Sequence, residues 1–340
     1  MPTPITTKAQ LLDHLQLALE LEHATIPPYL CALYSIRDGS NTQAASVIRS
    51  VVMEEMLHMT LVANLINAIG GQPKVNEEKF VPNYPTFLPE IVHKFIVDLQ
   101  PFSPGAIQTF LSIEQPPGPR PAAAEPADDD RYGSIGEFYV AVQAGVNFLS
   151  EKGKPSIFTG NVQRQVRPEH WYYGGGGHAL IVTDAESACK AIEEVVEQGE
   201  GVTGALFDDD RKDGSDTYEL AHYYRFKEIE LGRCYLQSDT PESGPRGPEL
   251  LVDWESSYPM TINPKVRDFA AVPEIQALMQ EFNRLYTTLL DVLHHAFNGQ
   301  PQLLRDAVPL MYELKYRAQA LMRIPWRDGR TAGPSFELTR

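Results

Sequence analysis

Apolar residues recur at helical spacing over 6–36, and Thr6 or Thr7 stands where an N-cap belongs. Pro27-Pro28 falls near the middle of that stretch and predicts a kink or local break. The run Asp38-Gly39-Ser40-Asn41-Thr42 reads as a turn, and a second helix is expected over 43–69, closed by Gly70-Gly71. Further on, the pattern predicts a short helix at 89–99 and another at 104–113. A third long helix is expected from Ser134 to Ser150, and a helix capped by Asp184 that ends at Gln198-Gly199. A fourth long helix opens at Asp216 or Thr217 and runs to Arg233. Helices over 273–297 and 302–323, joined by Asn298-Gly299, form a helical hairpin. Between these lie proline- and glycine-rich stretches. The segment 115–130 is the clearest candidate for a mobile loop, 151–183 looks irregular, and 238–272 carries one expected strand at 250–254. The expected fold class is all-α: a four-helix bundle over 1–237 with insertions at 72–130 and 151–215, then a C-terminal extension over 238–340 whose hairpin packs on the bundle.

Composition narrows the function. The chain has 340 residues, is 43% hydrophobic and carries a formal charge of −16, so it has ample core and is not disordered. The acidic balance argues against nucleic acid and against an anionic membrane surface. No apolar run approaches the length of a spanning helix. The cysteines at 31, 189 and 234 form no Cys-x-x-Cys pair, and the start lacks the apolar centre of a signal peptide, so a reducing, cytoplasmic location is expected.

Chemistry enters through Glu-x-x-His steps, which place a carboxylate and an imidazole on one helix face. Four occur: Glu20–His23, Glu55–His58, Glu90–His93 and Glu219–His222. Projecting each helix at about 100° per residue separates them. Glu55 and His58 fall inside the stripe of Val51, Val62, Leu65 and Ile66, and Glu54 lies at its edge. Glu219 and His222 share a face with Phe226 and Ile229, opposite Arg225. In the first helix Glu22, rather than Glu20, joins Leu11, Leu15 and Leu19. Glu137 aligns with Ala141, Ala144 and Phe148, although Ser134-Ile-Gly-Glu137 also fits a capping box. Glu90–His93 faces away from its apolar neighbours and reads as surface.

Four carboxylates and two imidazoles, Glu22, Glu55, His58, Glu137, Glu219 and His222, are therefore expected to point inward. Unpaired, such carboxylates would cost several kcal/mol each to bury. Two divalent cations would cancel their charge, and two Glu-x-x-His helices with one Glu from each of two more build the di-metal site of a four-helix bundle. Oxygen with imidazole nitrogen suits iron or manganese, and zinc is also compatible. Glu55 and Glu219 would bridge, Glu22 and Glu137 would be terminal, and His58 and His222 would bind one metal each. His23, Glu54 and Tyr223 are expected beside the site rather than in it.

The segments Leu19-Glu-Leu-Glu-His-Ala-Thr-Ile-Pro-Pro-Tyr-Leu30 and Glu54-Glu-Met-Leu-His-Met59 resemble the ferritin-like family, in the branch of the iminophenyl-pyruvate dimer synthases of bisindole pigment pathways. Ala191-Ile-Glu-Glu-Val-Val-Glu-Gln-Gly-Glu-Gly201 and Glu219-Leu-Ala-His-Tyr-Tyr-Arg-Phe226 resemble it too, so the likeness covers roughly 8–235. The resemblance implies two irons at the same six positions. It also implies an oxidoreductase that uses O2 or a peroxide on a small organic substrate of secondary metabolism, such as an amino-acid-derived imine. Two other readings stand beside it: a ferroxidase or iron-storage protein, and a bundle without redox metal that serves as a binding module. Pairing into a homo-oligomer is compatible with all three. Gly174 to Gly177 do not form a phosphate loop, because they precede the apolar run instead of following a strand. Asp208 to Asp213 do not fit a calcium loop, and the adjacent His294 and His295 cannot face one metal.

Overall fold

The computed structural model describes residues 3–89, 91, 95–116, 132–171, 177–199, 206–207 and 219–340. Among them the elements are α1 (Lys8–Ser35), α2 (Thr42–Ala68), α3 (Pro104–Ile113), α4 (Ile135–Leu149), α5 (Ala185–Gly199), α6 (His222–Leu231), α7 (Pro273–Phe297) and α8 (Leu304–Met322). Extended pairing among the described residues is confined to isolated bridges. No described helix is long and apolar enough to cross a membrane.

Caps follow the local chemistry. Thr7 and Gln10 form a reciprocal capping box at α1, Ser103 caps α3, and Ser134 accepts from the Glu137 amide at the start of α4. Gly70 closes α2 at φ +76°, a conformation that favours glycine.

The expected break at Pro27-Pro28 does not occur: α1 runs through both prolines. A proline removes the amide that would satisfy the carbonyl four residues back, which for Pro28 is that of Ala24. The Tyr84 hydroxyl donates to this oxygen at 2.8 Å and restores the lost bond from outside the helix. Tyr84→Phe is expected to strand a buried carbonyl and cost about 1–3 kcal/mol, read from urea unfolding of the two proteins.

Helices α1 and α2 form one antiparallel pair. Helices α3 and α4 both pack on α1, α5 and α6 both pack on α2, and α3 meets α6 as α4 meets α5. The third and fourth columns of the bundle are thus each made of two shorter helices, interrupted after Ile113 and after Gly199. The hairpin of α7 and α8 lies against the other side of the first pair, with α8 touching α1 and α7 touching α2. Asn67 on α2 donates to the Phe297 carbonyl at 2.7 Å, and Asn298 donates to that of Pro73 at 2.8 Å, which fixes the hairpin's turn. Residues 151–171 dock on the end of α2. There Gly160 comes so close that a Cβ would lie 1.6 Å from the Asn67 carbonyl oxygen, so no larger residue fits.

Two sequence expectations are corrected. Residues 95–99 are extended rather than helical, and Val97 exchanges both backbone bonds with Thr86. Buried Val97 and Leu99 alternate with exposed Ile96, a period of two, and four prolines lie within 73–89. The stretch 250–254 forms no ladder; a single bridge joins Arg233 and Glu249. The pair Glu90–His93, the run Asp208 to Asp213 and most of the expected loop at 115–130 lie outside the described residues.

Candidate metal centre

Five side chains converge where the interrupted columns meet α1 and α2. Glu22 comes from α1, Glu55 and His58 from one turn of α2, Glu114 from the residue that ends α3, and His222 from the first residue of α6. One donor atom each from Glu22, Glu55 and His58 lie within 4.8 Å of one another, and the same holds for Glu55, Glu114 and His222. Glu55 belongs to both groups: its Oε2 is 3.8 Å from His58 Nδ1, and its Oε1 is 3.0 Å from His222 Nδ1. The two imidazoles are stacked, with centroids 5.5 Å apart. All five side chains are buried.

Every member has an outer partner. Tyr139 donates its hydroxyl to Glu22, and Tyr29 donates to Glu114. Thr25 donates to Glu55 at 3.1 Å. His58 donates Nε2–H to Gln198 at 2.9 Å, and His222 donates Nε2–H to Glu54 at 2.8 Å. Glu54 is in turn held by Arg225 at 2.7 Å. With both Nε2 atoms committed as donors, both Nδ1 atoms face the carboxylates. His222 Nδ1 is buried without a hydrogen-bond partner, because neither oxygen at 3.0 and 3.5 Å lies in line with a proton on it. Carboxylate oxygen, imidazole Nδ1 and outer hydrogen bonds that orient each ring make the donor set a divalent transition metal takes. The residues present fit two such ions.

A family model described as ferritin-like matches residues 15–231. The chain belongs to the ferritin-like family. It is 28% identical over 397 aligned positions to dichlorochromopyrrolate synthase from Lentzea aerocolonigenes, covering 99% of this chain and 36% of that protein. It is 27% identical over 383 positions to 2-imino-3-(indol-3-yl)propanoate dimerase from Chromobacterium violaceum, covering 98% and 34%. The chain thus spans about a third of the length of these curated relatives. The crystal structure of a ferritin-like protein from Caulobacter vibrioides shares the fold, with a TM-score of 0.64 at 22% identity and 98% and 99% of the two chains covered.

Of the six positions expected to bind metal in this ferritin-like chain, the structure brings together Glu22, Glu55, His58 and His222. Glu137 and Glu219 are not among them. The buried face of α4 carries Phe138, Tyr139, Val142, Gly145 and Val146, one residue round from the expected stripe. Glu137 turns back to accept from the Gly133 amide at 3.0 Å, while its own amide donates to the Ser134 hydroxyl at the start of α4. Helix α6 begins only at His222, so Glu219 is not a helical turn below it; it pairs with Arg225 at 3.2 Å, 42% exposed. Arg225, expected to face outward, is buried between Glu54 and Glu219. Glu114 takes the place beside Glu55 instead. Its spacing from Ile107, Phe110 and Leu111 put it on the apolar face of α3, a signal masked by the proline-rich run that follows.

Of the residues expected beside the site, Glu54 is the buried acceptor that orients His222. His23 points away and meets the Tyr286 hydroxyl at 2.6 Å, and Tyr223 packs edge-on to Tyr224 in a separate small cluster.

Electrostatics reflect four buried acids beside two imidazoles. Burial pushes Glu22 up to about 7 and also raises Glu114. Burial would likewise raise Glu55, but the imidazoles of His222 and His58 beside it hold it well below the carboxylate range. Burial disfavours charge on His58, yet Glu22 and Glu55 outweigh it and carry the ring to about 10; His222 is raised for the same reason by Glu114, Glu54 and Glu55. A raised histidine pKa stabilises the fold fully below the ordinary value of 6.5, and that contribution is lost as pH rises through about 10. Melting temperatures of chelator-treated protein are therefore expected to fall from pH 6.5 to 10, less steeply in His58→Gln. A bound divalent ion, which replaces the Nδ1 proton, should flatten the profile.

Proposed function

We propose that this ferritin-like chain is a metal-dependent oxidoreductase with a dinuclear, non-haem iron centre acting on a small organic substrate. The observation that carries this reading is Glu55, a buried carboxylate shared by two groups that each add one further Glu and one His. Glu22, Glu55 and His58 would hold one ion, and Glu55, Glu114 and His222 the other. When bound, two irons supply a redox centre able to activate dioxygen or a peroxide.

The protein's own part is to hold donors and exclude water. Tyr139 and Tyr29 each fix one oxygen of Glu22 and Glu114, which leaves the second oxygen towards the cluster. Gln198 and the Glu54–Arg225 pair lock the two rings with Nδ1 inward. A cavity of about 20 Å³, room for about one water, reaches the cluster between α4 and α5. Ile135, Val195 and Val196 form the apolar part of its wall, opposite the carboxylates and His58. The Chromobacterium relative is named for dimerising an indolyl imino acid, and an amino-acid-derived imine is the substrate class we assign here.

Elemental analysis with anaerobic iron(II) titration, followed by oxygen-electrode assays with an indolyl imino acid, tests the reading. About two irons per chain and imine-dependent oxygen uptake are expected. Iron oxidation that proceeds without any organic substrate would favour ferroxidase chemistry, and failure to retain iron or manganese would leave a binding module.

A further inference from the structure

On the other side of the α1–α2 pair from the carboxylate cluster, beneath α7 and α8, lies a cavity of about 660 Å³. That is within the roughly 300–1,000 Å³ of small-molecule sites. It shares no lining residue with the small cavity at the cluster: α1 turns Glu22 and Thr25 to one side and His23, Ile26 and Leu30 to the other. Its wall along α1 extends from His23 to Tyr34, about 16 Å at 1.5 Å per residue, and continues past the end of the helix to Arg37.

The lining changes character along that length. At the inner end His23 and Tyr286 satisfy each other, and the middle is aliphatic and thioether, with Met53, Met56, Leu290 and Leu293. Methionine side chains re-pack readily around a flexible guest. Three cations join this lining: Arg37 from just past α1, Arg49 from the first half of α2 and Lys315 from the second half of α8. The acid on this rim, Asp38, is taken by Arg323 at 2.8 Å, and among the described residues Arg49 and Lys315 have no ion-pair partner. On a chain of charge −16, three cations around an apolar opening mark a place for an anion attached to a hydrocarbon.

We propose that this cavity binds one long-chain carboxylic acid, its acyl chain lying along α1 towards His23 and its carboxylate between Arg49 and Lys315. A neutral hydrocarbon would gain nothing from the cationic rim, and a bare anion would gain nothing from the apolar depth. The length of the wall suits an extended acyl chain.

Calorimetry of the full chain with oleate and with oleyl alcohol tests this. One oleate per chain is expected, with the alcohol bound at least about tenfold more weakly. The double variant Arg49→Glu/Lys315→Glu is expected to lose at least about tenfold for oleate while its affinity for the alcohol stays unchanged. Met56→Trp, which fills the middle of the cavity, should abolish both; should it fail to fold by circular dichroism, Leu293→Trp fills the same space from α7. Glu55→Ala should bind oleate as the parent does, so loss of the metal centre and loss of this site are separable. Non-saturable oleate uptake, equal affinity for acid and alcohol, or a chain dimer in light scattering that covers the cavity and excludes oleate would each overturn the proposal.

Discussion

Glu55→Ala is expected to remove both metals at once, with an affinity loss beyond the roughly 10–100-fold that outer-partner changes produce. Glu55 is the donor common to both groups, so its removal takes a ligand from each ion. Glu114→Ala, which touches one group only, should lose about half the bound metal. Glu137→Gln and Glu219→Gln should retain all of it, since one carboxylate caps a helix and the other meets Arg225. Elemental analysis of the four variants decides the matter. Full metal in Glu55→Ala, or loss in Glu137→Gln equal to that in Glu114→Ala, would refute the assignment. Circular dichroism guards against misfolding, because Glu55→Ala also takes an acceptor from Thr25 and a carboxylate 3.0 Å from His222 Nδ1.

Arg225→Met should be the most destabilising single change near the site, at about 3–5 kcal/mol. The guanidinium sits 2.7 Å from Glu54, whose side chain is 1% exposed, and also reaches Ser50 at 3.0 Å. Burial would raise Glu54, but the Arg225 charge and the bond from His222 keep it below its ordinary range. With Arg225 gone, a buried carboxylate retains His222 alone as partner among the described residues, and breaking one half of a buried pair costs more than the pair contributes. Chemical denaturation of the metal-free protein measures the cost. If the double variant Arg225→Met/Glu54→Leu recovers most of it, the stranded charge is its source; no recovery would point to lost packing of the arginine stem.

The sequence was most legible where helices are long and their apolar stripes wide. The bounds of α1, α2, α4, α5 and α7 were readable to within about two residues, as were Glu22, Glu55 and His58, because each lies mid-helix where neighbours on both sides fix the phase. Legibility failed at helix ends. Glu114 and Glu219 both flank a terminus, where a spacing of three or four residues no longer implies a shared face. On α4 two stripes of similar period competed. The one through Glu137 had alanines and an exposed Phe148, whereas the buried one had Phe138, Tyr139 and Val142. The continuity of α1 through Pro27-Pro28 depended on Tyr84, some sixty residues away, which no local reading could supply.

Continuous helices tie every residue to a common phase. Adding one residue rotates everything beyond it by about 100° and shifts it by 1.5 Å. In this bundle Glu114 stands at the end of α3 and His222 at the start of α6, so the third and fourth columns contribute their donors at the points where the helices stop. A residue inserted within α3 therefore does not rotate α4, and one within α5 does not rotate α6. In a bundle interrupted in this way each short helix sets its own rotation, so Glu114 and His222 are placed by a helix end rather than by the phase of a whole column.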